Sequence, residues 1–196
     1  MGQVPGRRFE YSGGGYVIVQ QLIEDASNQS LSDLAQELIF DPLEMRSSTF
    51  ESRLPEAYLP RAATAHRVDG TPVPGRWHIY PEGAPASLWS TPSDLARLVV
   101  EVLASLKDRS NKVLTAEMTR QMLTPQVSWV GLGFPLINID GRVRFEHPGW
   151  NEGFHSLMVC TLDTGKGLVF MTNGENGIDL GRELMLAIPD YGSMGW

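Results

Sequence analysis

Apolar positions change their rhythm along this chain, recurring every three or four residues in two early stretches and then running in short blocks after Pro125. Val19, Leu22, Ile23 and Ala26 fall at i, i+3, i+4 and i+7, which predicts an amphipathic helix opening at the glycines Gly13, Gly14 and Gly15. Ser30 with Asp33 three residues on is the acidic form of a capping box. It predicts a second helix that carries Leu31, Leu34, Ala35 and Leu38 inward and stops before Pro42. Thr91 as N-cap, Pro92 at the first helical position and Asp94 at the third start the strongest helix. Its stripe is Leu95, Leu98, Val99, Val102, Leu103 and Leu106. A shorter helix is predicted over residues 115–123.

Between these helices, residues 43–88 lose all periodicity and are rich in proline, with Tyr58, Trp77 and Tyr80 among them. A segment this long without regular structure usually lines a site or makes a surface excursion. After Pro125 the pattern predicts strands at residues 129–134, 142–146, 154–162 and 168–172. Turns at Asp140-Gly141 and over residues 163–167 would join them as hairpins, and residues 178–188 read as a closing helix. Helices first and an antiparallel meander last predict an α+β fold, a sheet flanked by helices. We read one domain, helical and looped over residues 1–125 and stranded over 126–196.

Glu146-His147-Pro148-Gly149-Trp150-Asn151-Glu152-Gly153-Phe154-His155-Ser156 stands out, with glycines, a proline, aromatics and histidines between strand-like runs. Such a backbone can turn sharply or approach a ligand closely, aiming a histidine and main-chain N–H groups into a cleft. The same residues also read as an ordinary hairpin turn decorated with aromatics.

Composition narrows the function classes. The chain has 196 residues, 42% apolar and 20% charged, as a folded domain would. A net charge of −7, with lysine only at 107, 112 and 166, leaves no basic stripe for nucleic acid or an anionic membrane. No apolar run approaches a membrane span. The residues from Met1 to Arg8 lack the apolar core of a signal peptide, and no compartment is specified. Cys160, the lone cysteine, reads as a small core residue flanked by Met158, Val159 and Leu162.

Several motifs, in order, carry a resemblance. Tyr11-Ser12-Gly13 opens a helix. Leu43-Glu44-Met45 precedes Thr49-Phe50, and Leu88-Trp89-Ser90-Thr91-Pro92-Ser93-Asp94-Leu95 follows. Gly131-Leu132-Gly133-Phe134, His147-Pro148-Gly149-Trp150 and Asn173-Gly174 complete the series. The chain resembles serine β-lactamases of the class C type and their esterase and penicillin-binding relatives, over nearly its whole length. That resemblance implies a β-lactamase/transpeptidase-like fold and acyl transfer through a serine acyl-enzyme. It makes Tyr11 the general base and proton shuttle. His147 becomes the residue that holds the substrate's carboxylate or ester end and tunes the tyrosine. The N–H of Trp150 becomes an oxyanion-hole donor. Gly13 stands where the family has a substrate-contacting asparagine, which tilts the expectation toward an esterase-like or peptidase-like activity. Trp77, Tyr80, Gly149 and Asn151 complete the expected substrate site.

The family's nucleophile lies in Ser-x-x-Lys, and the residues three before the lysines here are Ala104, Arg109 and Asp163. The chain therefore reads as a C-terminal portion of such an enzyme, incomplete as a fold and carrying half of an active site. We expect exposed apolar helix faces and an open sheet edge, with a complementing chain or self-association to cover them. The alternative is a non-catalytic module that keeps the cleft for a carboxylate-bearing or peptidoglycan-like ligand. Neither reading implies a cofactor.

Each candidate also has a plainer role. Tyr11 could pack at a helix start, His147 could be a satisfied strand-end histidine, and His155 an outward-facing strand residue. No metal site is expected, because His147, Glu152 and His155 lack helical ligand spacing. Ser12 and Ser156 lie in no nucleophile motif.

Overall fold

A computed structural model describes residue 4 and residues 6–188. Four strands form one antiparallel meander: β1 Leu136–Ile139, β2 Arg142–Asn151, β3 Phe154–Thr161 and β4 Gly167–Thr172, in that spatial order. Side-chain alternation gives this sheet two working faces. Phe145 and Cys160 are paired across β2 and β3 and pack with Val99, Val102, Leu123 and Leu136. Leu157, Val159 and Phe170 point the other way, onto Met185.

Two helices cover those faces. α4, Pro92–Leu106, lies on the first face. Thr91 accepts from the Asp94 N–H at 3.2 Å, and Pro92 takes the first turn, as the sequence predicts. α6, Gly177–Ala187, closes the second face. α5, Ala116–Met122, packs beside α4. Cys160 is wholly buried in the first layer, and burial pushes its thiol up to about 11.

Three expectations fail in instructive ways. Residues 129–134 form turns rather than a strand, and the strand is Leu136–Ile139. Gly131 and Leu132 hydrogen-bond to Phe134 and Met122 instead of joining a ladder. The second helix begins as α2, Leu31–Ala35, with Ser30 capping Asp33, but continues as a π-helical turn over Gln36–Phe40. Its wider i→i+5 bonding rotates the later residues around the axis. Phe40 enters the core and Leu38 is left 55% exposed, not inward. The stretch from Glu146 to Asn151 is strand throughout, and the turn is confined to Glu152-Gly153.

α1, Gly13–Ser27, opens at the glycines as the pattern predicts, with Ser12 as its N-cap, but none of its residues is buried. Ile18 is 72% exposed and Leu22 65%, with Val19 and Tyr16 also open. Polar bonds hold this helix in place. Gln20 Oε1 accepts from the Ala84 N–H at 2.8 Å, in α3 (Gly83–Ala86), and Glu24 accepts from the Leu31 N–H at 2.8 Å. Among the described residues no helix is long and apolar enough to cross a membrane.

Candidate active site

A cleft of about 520 Å³ opens between the first sheet face and the aperiodic segment. Its lining includes Tyr11, Trp77, Tyr80, His147, Gly149, Trp150 and Asn151. Of the eight expected catalytic and substrate-site residues only Gly13 is off the wall, beginning α1 with Pro85 as its nearest neighbour at 3.8 Å from the Cβ position.

Strand register decides what each residue of β2 offers. His147 pairs with Met158 and Gly149 with Ser156, on the same face as Phe145 and Cys160, which is the cleft side. A Cβ on Gly149 would meet the Ser156 hydroxyl, which would have to turn to another rotamer. Trp150 alternates to the opposite face, where its ring stacks on His155 at 5.1 Å and stays 77% exposed. Trp150 therefore brings its main chain to the cleft. Asn151 Nδ2 donates to the Ala86 carbonyl at 3.0 Å, tying the sheet to α3. Tyr11 precedes the Ser12 cap and is 73% exposed. Ser12 Oγ is engaged as that cap, accepting from the Gly15 N–H at 3.0 Å.

The loop wall is fastened to the β2–β3 hairpin at several points. Gly153 takes φ +77°, and an added Cβ would lie 2.5 Å from Ala65 Cβ, so the turn and the loop touch main chain to main chain. Glu152 is the hub beside it. Its N–H donates to Tyr80 Oη at 3.0 Å, and its Oε1 accepts from Arg67 Nε at 2.9 Å. Its Oε2 lies 2.7 Å from His78 Nε2. The Arg67 guanidinium holds the Glu152 carboxyl below the usual carboxylate range. Further along, Asn173 Nδ2 donates to the Thr64 carbonyl at 2.9 Å, and Glu175 accepts from the Val68 N–H at 2.9 Å.

Aromatic rings form the apolar end of the cleft. Trp77 meets Trp89 edge-on at 4.9 Å, and Trp89 meets Phe154 at 6.1 Å. Arg76 stacks over Trp77 at 4.5 Å and donates to the Leu59 carbonyl, fixing the ring's backbone in turn. His155 shares the face of Trp150, opposite His147, partly buried at the border of the cleft, and desolvation lowers its pKa against the opposing pull of Glu175. Among the described residues no three His, Cys, Asp or Glu side chains group to hold a metal ion.

Sequence reading passed over Arg61, Arg67, His78 and the anchoring role of Glu152. Only one signal was present, the alternation of Arg76-Trp77-His78-Ile79-Tyr80, which puts Trp77's neighbours on two sides of an extended run.

Solved structures of penicillin-binding proteins and of a D-amino acid amidase share this fold. A penicillin-binding protein from Bacillus halodurans superposes with a TM-score of 0.79 at 18% identity, covering 96% of this chain and 59% of that one. An octameric penicillin-binding protein homologue from Pyrococcus abyssi gives 0.74 at 20% identity, covering 92% and 44%. A D-amino acid amidase from Ochrobactrum anthropi SV3, complexed with L-phenylalanine amide, gives 0.67 at 24% identity, covering 87% and 52%. The chain thus spans about half the length of these relatives. A search of curated protein sequences gave no match. The Beta-lactamase family model matches residues 2–191, and the chain belongs to the β-lactamase family.

Proposed function

We propose that this chain supplies the tyrosine, histidine and oxyanion side of a serine acyl hydrolase acting on an ester, amide or β-lactam. The nucleophile of that reaction would come from a Ser-x-x-Lys segment outside these 196 residues. One observation carries the reading: Tyr11, His147 and the main chain of Trp150, far apart in sequence, border one cleft. In this scheme Tyr11 acts as general base toward the serine hydroxyl as it attacks the carbonyl, and later returns a proton to the leaving group. The Trp150 N–H shares the developing oxyanion with the nucleophile's own N–H, a donor of a kind typically worth about 2.7–4 kcal/mol. His147 orients the substrate end nearest the sheet.

The open α1 face supports the same reading, because a helix held only by polar bonds leaves its apolar stripe for another surface to cover. The alternative, a binding module that keeps the cleft without turnover, draws on the absence of Ser-x-x-Lys from the sequence.

The test is turnover of a nitrophenyl ester and a chromogenic cephalosporin by the chain alone and by the chain supplied with a Ser-x-x-Lys-bearing segment of a related enzyme. Activity that appears on complementation and is lost in Tyr11→Phe is the expected result. Activity indifferent to Tyr11→Phe would remove the role given to that residue, and none in any combination would leave the binding module.

A further inference from the structure

Tyr11 borders the cleft, yet no hydrogen bond among the described residues holds its hydroxyl. Its place depends on the helix that follows, and α1 has no buried residue to anchor it by packing. What ties this helix to the cleft is α3, four residues of the loop wall.

Gly13 and Gln20 are seven positions apart and so share one face of α1. α3 sits against that face. Its Pro85 lies 3.8 Å from the Gly13 Cβ position, and its Ala84 N–H donates to Gln20 Oε1 at 2.8 Å. Among the described residues this is the one hydrogen bond between α1 and a residue lining the cleft. Gln20 Nε2 donates in turn to Glu24 Oε1 at 3.0 Å, which fixes the orientation of the amide.

The next residue of α3 is fastened to the sheet. The Ala86 carbonyl accepts from Asn151 Nδ2 at 3.0 Å, and Asn151 directly follows Trp150 in β2. α1 and β2 thus grip one short element through consecutive residues, each by a part-buried hydrogen bond. Tyr11 adjoins the Ser12 cap at one end of this path, and the Trp150 main chain adjoins Asn151 at the other. The separation of the phenol from the Trp150 N–H is therefore carried through Gln20, α3 and Asn151.

We propose that α3 is a brace that sets the position of Tyr11 against the Trp150 main chain, with Gln20 and Asn151 as positioning residues at its two ends. The catalytic consequence rests on the reading of the cleft as an acyl hydrolase site. The Asn151 amide is given to the brace in place of the substrate.

Fluorine NMR of the chain carrying 3-fluorotyrosine gives the test, with the Tyr11 resonance assigned by its loss in Tyr11→Phe. Gln20→Met keeps the side chain's length and loses the acceptor, while Asn151→Ala loses the donor. Each moves the Tyr11 resonance toward its position in the urea-unfolded chain. Asn151→Ala also speeds exchange of the Ala84 amide about fivefold, the worth of one neutral hydrogen bond, although Asn151 is not that amide's partner. The double variant moves the resonance no further than either single one, because links in series fail together, whereas independent contacts would add. Circular dichroism checks that the variants stay folded. In the chain complemented with a Ser-x-x-Lys-bearing segment, either substitution lowers kcat about tenfold and leaves KM within about twofold, since a misplaced group costs rate more than binding. A Tyr11 resonance and an Ala84 exchange rate unmoved by Asn151→Ala overturn the brace, as do additive shifts in the double variant. An undiminished kcat in an active complemented chain overturns the positioning role. Absence of turnover in every complemented form counts against the acyl hydrolase reading alone, and the resonance and exchange results still decide the brace.

Discussion

Asp94 is 4% exposed and joins two segments that the sequence keeps far apart. Its carboxylate accepts from the Ser47 N–H at 2.8 Å and Ser48 Oγ at 2.9 Å, while Arg97 Nη1 donates to the other oxygen at 2.7 Å. Asp94→Ala leaves those donors without their acceptor in a buried place, which costs roughly 3 kcal/mol and lowers the urea midpoint accordingly. Cys160 makes the opposite case, a residue whose ionisation the fold forbids. Its thiol titrates near 11 instead of the ordinary 9.0, because burial penalises the thiolate. The two-unit rise implies about a hundredfold less thiolate at pH 8, so Ellman's reagent reacts at least that much more slowly with the native chain than with the urea-unfolded one. The sign for stability follows: a raised folded value contributes fully below pH 9 and is lost as pH climbs from 9 toward 11. A Cys160→Ala variant should therefore show a flatter alkaline limb in its melting temperature.

Among the elements, the β2–β3 hairpin matters most, because it joins the two central strands and its tip receives the loop wall. Gly153 is central to it, at φ +77° with Ala65 and the His66 N–H immediately opposite. Gly153→Ala combines a left-handed conformation with a clash against main chain, a cost of roughly 3 kcal/mol. Hydrogen exchange should then show faster exchange at the amides of Ala65 and Val73, which bond to Arg76 and Ala65 within the loop. A drop in melting temperature with those amides still protected would mean that the loop is held by other contacts.

For the molecule as a whole, the sheet is covered on both faces while α1 is not. Leu22 and Ile18 lie on that uncovered helix, whose attachments are the Gln20 and Glu24 hydrogen bonds. Exposed apolar area of this kind drives association. The chain is expected to self-associate in a concentration-dependent way. An Ile18→Gln, Leu22→Gln double variant should sediment as a smaller species with its circular dichroism unchanged. A monomer at all concentrations, before and after substitution, would remove self-association as the way this face is covered.

The amino-acid pattern alone determined local structure wherever a signal was self-contained. The caps at Ser30 and Thr91, the six-residue stripe of α4, the Asp140-Gly141 turn and the α+β order each rest on neighbours within a few residues. Family motifs added the fold and the candidate residues of the cleft. Only tertiary structure decided what depends on distant partners. The π-helical turn that exposes Leu38 and buries Phe40 is set by packing against Leu43, Met45 and Leu95. Residues 129–134 have strand-like composition but bond to Met122 and Phe134, which no periodicity reveals. Whether α1's stripe is covered cannot be read from the stripe. The neutralised Glu152 likewise exists only once Arg67 and His78 reach it from the loop. Periodicity encodes which side of an element is apolar; the folded chain alone settles what that side, or a charge beside it, meets.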